Sequence, residues 1–187
     1  MLVEKKERVI MGIDPGTSIM GYGVILEKGS KLELITMGIV RMDHMDDHFL
    51  KLQRIFEKTI HLIEEYKPDT MALEAPFYGK NIQVMLKLGR AQGVAMAAAL
   101  SRNIPITEYA PRKIKQSITG SGSAGKEQVA AMLQTLLKFK ETPQFLDATD
   151  GLAVAVCHSF QRVSTSGSGK SYSGWEAFAK DNKKRVK

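Results

Sequence analysis

Three apolar stretches of the chain run straight into acids. Val9-Ile10-Met11-Gly12-Ile13 ends in Asp14, Thr70-Met71-Ala72-Leu73 ends in Glu74, and Leu146 to Val154 carries Asp147 and Asp150 among apolar neighbours. The first two lack the polar alternation of a half-wet strand and read as buried strands, which calls for a sheet with helices on its faces. Ionised carboxylates are seldom set beside a core unless something offsets their desolvation, and a divalent cation commonly does so. The acids therefore mark both the sheet and the first place to look for chemistry.

Tyr22 to Glu27 and Leu32 to Val40 follow the first strand across the turns Pro15-Gly16 and Lys28-Gly29-Ser30, giving an antiparallel meander. From Asp46 or Asp47 the apolar positions Phe49, Leu52, Ile55, Phe56, Ile60 and Ile63 predict a helix that stops before Lys67-Pro68. Thr70 to Glu74 is the fourth strand. Ile82 to Leu100 is a helix apolar on more than one side, suited to a core or a dimer interface. Ile104 to Glu108 is a fifth strand, and Pro111 to Ile118, Val129 to Phe139 and Pro143 to about Phe160 are further helices.

This order predicts an α/β fold, a mixed five-stranded sheet flanked by helices on both faces, with strands 1 and 4 adjacent and parallel. Asp14 and Glu74 then stand side by side at the edge where open α/β sheets bind ligands. Asp147 and Asp150, spaced i, i+3, share a helix face. Singly, each acid has a structural explanation, as a turn former, a strand-end charge or a partner of a helix dipole. Four converging on one edge point to hard-cation chemistry, Mg²⁺ or Mn²⁺ rather than zinc, with two ions acting in phosphodiester hydrolysis.

One domain of residues 1–162 is expected, then a Ser/Gly-rich, basic tail over 163–187 too poor in apolar residues to order itself. No apolar run approaches the roughly 18 residues needed to span a bilayer and no signal-peptide stretch opens the chain, so a cytoplasmic protein without membrane contact is expected. The lone Cys157 excludes an internal disulfide and a zinc-type cysteine set.

The net charge of +7 is concentrated: eight bases and one acid, Glu108, fall between Ala75 and Lys126. A basic surface facing a polyanion follows, with Lys80, Arg112, Lys113, Lys115 and Lys126 as candidate DNA contacts. Gly120 to Lys126 fits part of a P-loop, but Glu127 stands where Ser or Thr is required, so the segment is read as a mobile loop closing on a nucleic-acid backbone. Gly12 to Ser18 resembles the first phosphate loop of actin-like kinases, which need a second lobe this chain has no room for. His158 lies about 16 Å along the helix from Asp147, too far to share a metal, and is assigned with Cys157 to structure. His44, His48 and His61 are expected at the surface.

Gly12-Ile13-Asp14-Pro15-Gly16 with Gly21-Tyr22-Gly23, Leu73-Glu74 with Phe77 and Lys80-Asn81, Leu88 to Gly93, and Asp147-Ala148-Thr149-Asp150 together resemble the RuvC-type Holliday junction endonucleases, from about Ile10 to His158. The resemblance implies a ribonuclease-H-like fold, a homodimer, Mg²⁺-dependent paired nicking of a four-way DNA junction, and a branch-migration helicase complex as a further partner. It places the family's catalytic acids on Asp14, Glu74, Asp147 and Asp150, its junction-inserting aromatic on Phe77 and its DNA-contacting lysines on Lys115 and Lys126. Gly151 departs from the pattern and is expected to loosen the helix at the metal site. Two alternatives stay open: a non-catalytic junction-binding protein, and a ribonuclease-H-like nuclease that processes ribosomal RNA precursors.

Overall fold

The computed structural model describes residues 7–76, 79, 81–139 and 146–165. Strands β1 (Glu7–Asp14), β2 (Ile19–Lys28) and β3 (Lys31–Arg41) form the meander. Helix α1 (His48–Tyr66), strand β4 (Thr70–Glu74), helix α2 (Ile82–Leu100) and strand β5 (Ile106–Tyr109) follow, then α3 (Pro111–Thr119), α4 (Lys126–Leu137) and α5 (Leu146–Thr165). The sheet order is β3-β2-β1-β4-β5. β1 pairs antiparallel with β2 and parallel with β4, and β5 adds parallel to β4. This is the mixed five-stranded sheet expected, of ribonuclease-H-like type.

Strand periodicity sorts the core into two layers. Met11, Ile13, Met71 and Leu73 face α1 and α2, packing on Ile55, Leu62, Ala91 and Ala95. Ile10 and Ala72 face the other way, towards Ile114, Leu133 and the apolar face of α5 from Leu152 to Cys157. A fully buried Leu or Ile of this kind contributes about 1.5 to 3 kcal/mol through removal from water.

Local chemistry sets the helix ends. Asp47 caps α1, accepting from the N–H groups of Phe49 (2.6 Å) and Leu50 (3.2 Å). Lys67 closes that helix in the left-handed region (φ 47°), just ahead of Pro68. Pro111 opens α3, where its missing N–H costs nothing, and Gly120 (φ 76°) ends it.

Several boundaries differ from the sequence expectation. β2 starts at Ile19 rather than Tyr22, because Gly21 is a strand residue paired with Asp14. β5 is shifted along the chain, from Ile106 to Tyr109, by the register of its pairing with β4. α4 starts at Lys126, because Gly125 serves as its N-cap and Gln128 Oε1 accepts from the Gly125 N–H at 3.0 Å. α5 runs on to Thr165, past the expected domain edge at 162, and residues 166–187 of the tail lie outside the described residues.

Candidate active site

β1 and β4 pair with Ile13 beside Leu73, so the next residue of each strand, Asp14 and Glu74, emerges at the same C-terminal edge. Their side chains share the α5 face, since Gly12 and Ala72, two residues earlier, lie under that helix. Asp147 stands in the first turn of α5 and Asp150 one turn on.

α5 is brought close to the ends of β1 and β2 because it rests directly on strand backbone. A Cβ on Gly12 would stand 2.3 Å from the Gly151 carbonyl oxygen, one on Gly21 2.0 Å from the Asp147 carbonyl oxygen, and one on Gly151 2.5 Å from the Tyr22 backbone nitrogen. No side chain fits in this seam. Gly151 is therefore a contact residue that lets the helix touch the sheet. Its neighbour Tyr22 belongs to a distant part of the sequence, so this packing role is invisible to a local reading that marks Gly151 only as a loosening of the helix.

Crowding shows in the acidities. Burial, then the charges of Asp150 and Asp147, raise Asp14 to about 6, against the pull of Lys126. Burial, then Asp14 and Asp150, raise Glu74 to about 8, against Lys126 and Lys115. Both folded values exceed the ordinary carboxylate values, so the folded state holds protons that the unfolded chain releases. Their contribution to stability is full below about pH 4 and is lost as pH rises through about 6 and then about 8. With a chelator present, Tm is expected to fall between about pH 5 and about pH 9, and Glu74→Gln to flatten the upper part of that fall; thermal scans across the range check both.

Lys126, the first residue of α4, sends Nζ to Asp150 Oδ2 (2.5 Å) and Asp147 Oδ1 (3.1 Å). Burial lowers the lysine pKa, but the hydrogen bonds and charges of Asp150 and Asp147 outweigh it and hold the value above the usual range. The loop before it, expected to be mobile, is folded onto α3: a Cβ on Gly122 would meet Arg112 Cγ at 2.4 Å. Among the described residues, no three acid, histidine or cysteine side chains converge on one point as they stand. The donor set nonetheless suits a hard cation: oxygen donors from three elements, with an ammonium already drawn between two of them.

A cleft of about 560 Å³ is lined by the acids Asp14, Glu74 and Asp150 together with the bases Arg112, Lys115 and Lys126. Lys113 is exposed and is not part of the cleft lining. Phe77 and Lys80 lie outside the described residues. His158 Nδ1 is 2.8 Å from the Tyr109 hydroxyl and its Nε2 3.4 Å from Thr70 Oγ1, at the opposite end of β4 from Glu74, and Cys157 is fully buried. Both agree with a structural assignment. His44 and His61 are exposed, whereas His48 is half-buried with a shielded Nε2.

Sequence reasoning missed the glycine seam, although the close spacing of Gly12, Gly21 and Gly23 in a β1–β2 hairpin was a usable signal. It also missed Gln92, a buried α2 amide whose Nε2 lies 3.4 Å from the Glu74 carbonyl oxygen.

The family model for the crossover junction endodeoxyribonuclease RuvC matches residues 10–158. The chain is 58% identical to the Christiangramia forsetii crossover junction endodeoxyribonuclease RuvC over 185 residues, covering 99% of this chain and 96% of that one. It is also 58% identical to the Bacteroides fragilis protein of the same name, with both chains fully covered. Among solved structures, a Thermus thermophilus RuvC in complex with Holliday junction substrate superposes with a TM-score of 0.79 at 31% identity, covering 84% of this chain and 96% of that one. The yeast mitochondrial Holliday junction resolvase Ydc2, 15% identical with a TM-score of 0.59 over 82% of this chain and 78% of its own, shares the fold.

Proposed function

The chain belongs to the RuvC family of crossover junction endodeoxyribonucleases, and from that premise we propose how its acid cluster acts. It is a Holliday junction resolvase, a nuclease of homologous recombination and DNA repair that hydrolyses phosphodiester bonds at four-way junctions. The observation that supports the assignment of roles is that Asp14 and Glu74, on paired parallel strands, line one cleft with Asp150 of α5, Asp147 standing one turn before it.

In this reading Asp14, Glu74, Asp147 and Asp150 hold Mg²⁺ or Mn²⁺, two ions per site. Ions held there would supply activation of a water and charge stabilisation of the leaving oxygen. The chain's own contribution is placement. The β1–β4 pairing fixes two carboxylates, and the glycine seam brings the other two within reach. Arg112, Lys115 and Lys126, which line the same cleft, bind the phosphates beside the scissile bond, Lys126 exchanging its carboxylate partners for a phosphate. Lys80 and Lys113 are proposed as further DNA contacts, and Phe77 as the wedge that holds bases apart.

Paired nicking requires two sites related by a two-fold axis. The exposed apolar start of α2, with Ile82 and Leu86 at 72% and 50% exposure, is the surface for a second copy. Among the described residues no helix is long and apolar enough to cross a membrane. The cytoplasm is the proposed location, and a branch-migration helicase complex the proposed further partner.

The test is cleavage of a labelled mobile four-way junction beside duplex DNA and structured RNA, with Mg²⁺ or with chelator, mapping nicks on all four strands. Symmetric, metal-dependent nicks at the junction are expected. Tight binding without nicks would instead establish a non-catalytic binding protein, and cutting of RNA alone an RNA-processing nuclease. Lys115→Ala is expected to weaken junction binding and reduce the slope of log K against log salt by about 0.9, one phosphate contact, as read by binding titrations at several salt concentrations.

A further inference from the structure

Gln92 is a buried polar side chain, 7% exposed, on a helix face otherwise lined by Ala91, Ala95, Ala98 and Ala99. A buried amide has to be matched by partners. Its Nε2 carries two hydrogens and has two acceptors at the sheet edge, Glu108 Oε1 at 2.5 Å and the Glu74 backbone carbonyl at 3.4 Å. Only the NH₂ end can face a carboxylate and a carbonyl together, so the partners fix the orientation of the amide. Glu108 thereby acquires a role that its isolation in a basic stretch leaves unexplained.

Location gives the contact its meaning. α2 covers the face of the sheet opposite the acid cluster, so Gln92 reaches the last residue of β4 from behind. Glu74 is where the strand ends; one further backbone bond, Ala75 N–H to the Tyr109 carbonyl at 2.9 Å, continues the β5 pairing. β4 thus ends at Glu74, where the Gln92 amide supplies a second fixing point from the α2 side.

We propose that Gln92 is a positioning residue for Glu74: its amide, oriented by Glu108, holds the main chain at the end of β4 and so fixes where the Glu74 carboxylate stands. The inference rests on the reading of Glu74 as a metal ligand. It also ties α2, the helix offered to a second copy, to the opposite face of the sheet through one side chain.

The test compares the wild-type protein with Gln92→Met, Glu108→Gln and the exchanged pair Gln92→Glu/Glu108→Gln. The readouts are kcat and KM on a four-way junction, Mn²⁺ affinity by electron paramagnetic resonance without DNA, and Tm. Gln92→Met keeps the shape and loses both donors; kcat is expected to fall about tenfold to hundredfold and Mn²⁺ affinity about tenfold, with KM within about twofold. Glu108→Gln keeps an acceptor for the amide and is expected to stay within about twofold of wild type. In the exchanged pair the amide now on β5 donates to the carboxylate now on α2, so the tie between the two elements survives. A carboxylate cannot donate to the Glu74 carbonyl, however, and kcat and Mn²⁺ affinity are expected to stay low.

An exchanged pair that recovers both values would overturn the inference, because the α2–β5 tie alone would then suffice. Wild-type values in Gln92→Met would do the same. If Gln92→Met fails to fold, Gln92→Asn, one methylene too short to reach, carries the comparison. A wild-type protein that neither cuts nor binds Mn²⁺ removes the reading of Glu74 and this inference together. Cutting by wild type with equal cutting by Gln92→Met removes the inference alone.

Discussion

Asp14→Asn is expected to cut four-way junctions about 10³-fold more slowly than the wild-type protein while binding them within about twofold. The asymmetry follows from geometry. Asp14 sits at the end of β1 among the acids, whereas phosphate binding is assigned to the cations that line the same cleft, Arg112, Lys115 and Lys126. The amide keeps the size of the side chain and removes its charge. Removing that charge is also expected to raise Tm in chelator at about pH 8, where the wild-type carboxylate, with its pKa raised to about 6, is ionised against burial and Asp150. Gel-based cleavage, junction titration and a thermal scan on one preparation check all three. A variant that nicks at the normal rate would remove Asp14 from the chemistry.

Gly21→Ala is expected to be among the most damaging single-methyl changes in the protein. The new Cβ would stand 2.0 Å from the Asp147 carbonyl oxygen and 3.1 Å from its carbon, so the obstacle is main chain that cannot swing aside. α5 would have to lift from β2, opening the packing of Leu152 and Ala153 and carrying Asp147 and Asp150 away from Asp14. Overpacking of this severity costs about 3 kcal/mol or more, equivalent to a fall in Tm of roughly 6 to 12 °C for a domain of this size. Cleavage should fall with it, even at temperatures where the variant is folded. Thermal denaturation with cleavage assays well below Tm separates the two effects. Gly93→Ala, with open space around the new methyl, is the contrasting control and should not lower Tm.

The sheet and the four acids were legible because the signals were local. An apolar run that stops on an acid needs no partner to be noticed, and the i, i+3 spacing of Asp147 and Asp150 is a property of one helix. What escaped was tertiary. Gly21 falls outside the strand that the apolar pattern marks, and Gly151 reads as a weak point in a helix, when each is small because another backbone lies against it. Lys126 was legible as a cation near DNA, but its contact with Asp147 and Asp150 depends on how a loop folds onto α3. Gln92 lies in the Leu88 to Gly93 motif, but its contact with the sheet edge was not legible, since a single amide in an alanine-rich helix looks like surface until that edge is seen behind it.

The parallel pairing of β1 with β4, and the placement of α5 across β1 and β2, bear on how the enzyme is made. Of the four candidate site acids, the first, Asp14, closes β1 and the last, Asp150, stands in the final described helix. Contacts that far apart in sequence are slow to form, and in synthesis they must wait for the last helix to leave the ribosome. A partly synthesised chain can build most of the sheet, yet it lacks the acids of α5. With the roles proposed for these acids, nuclease activity would be withheld from any product that stops short of α5.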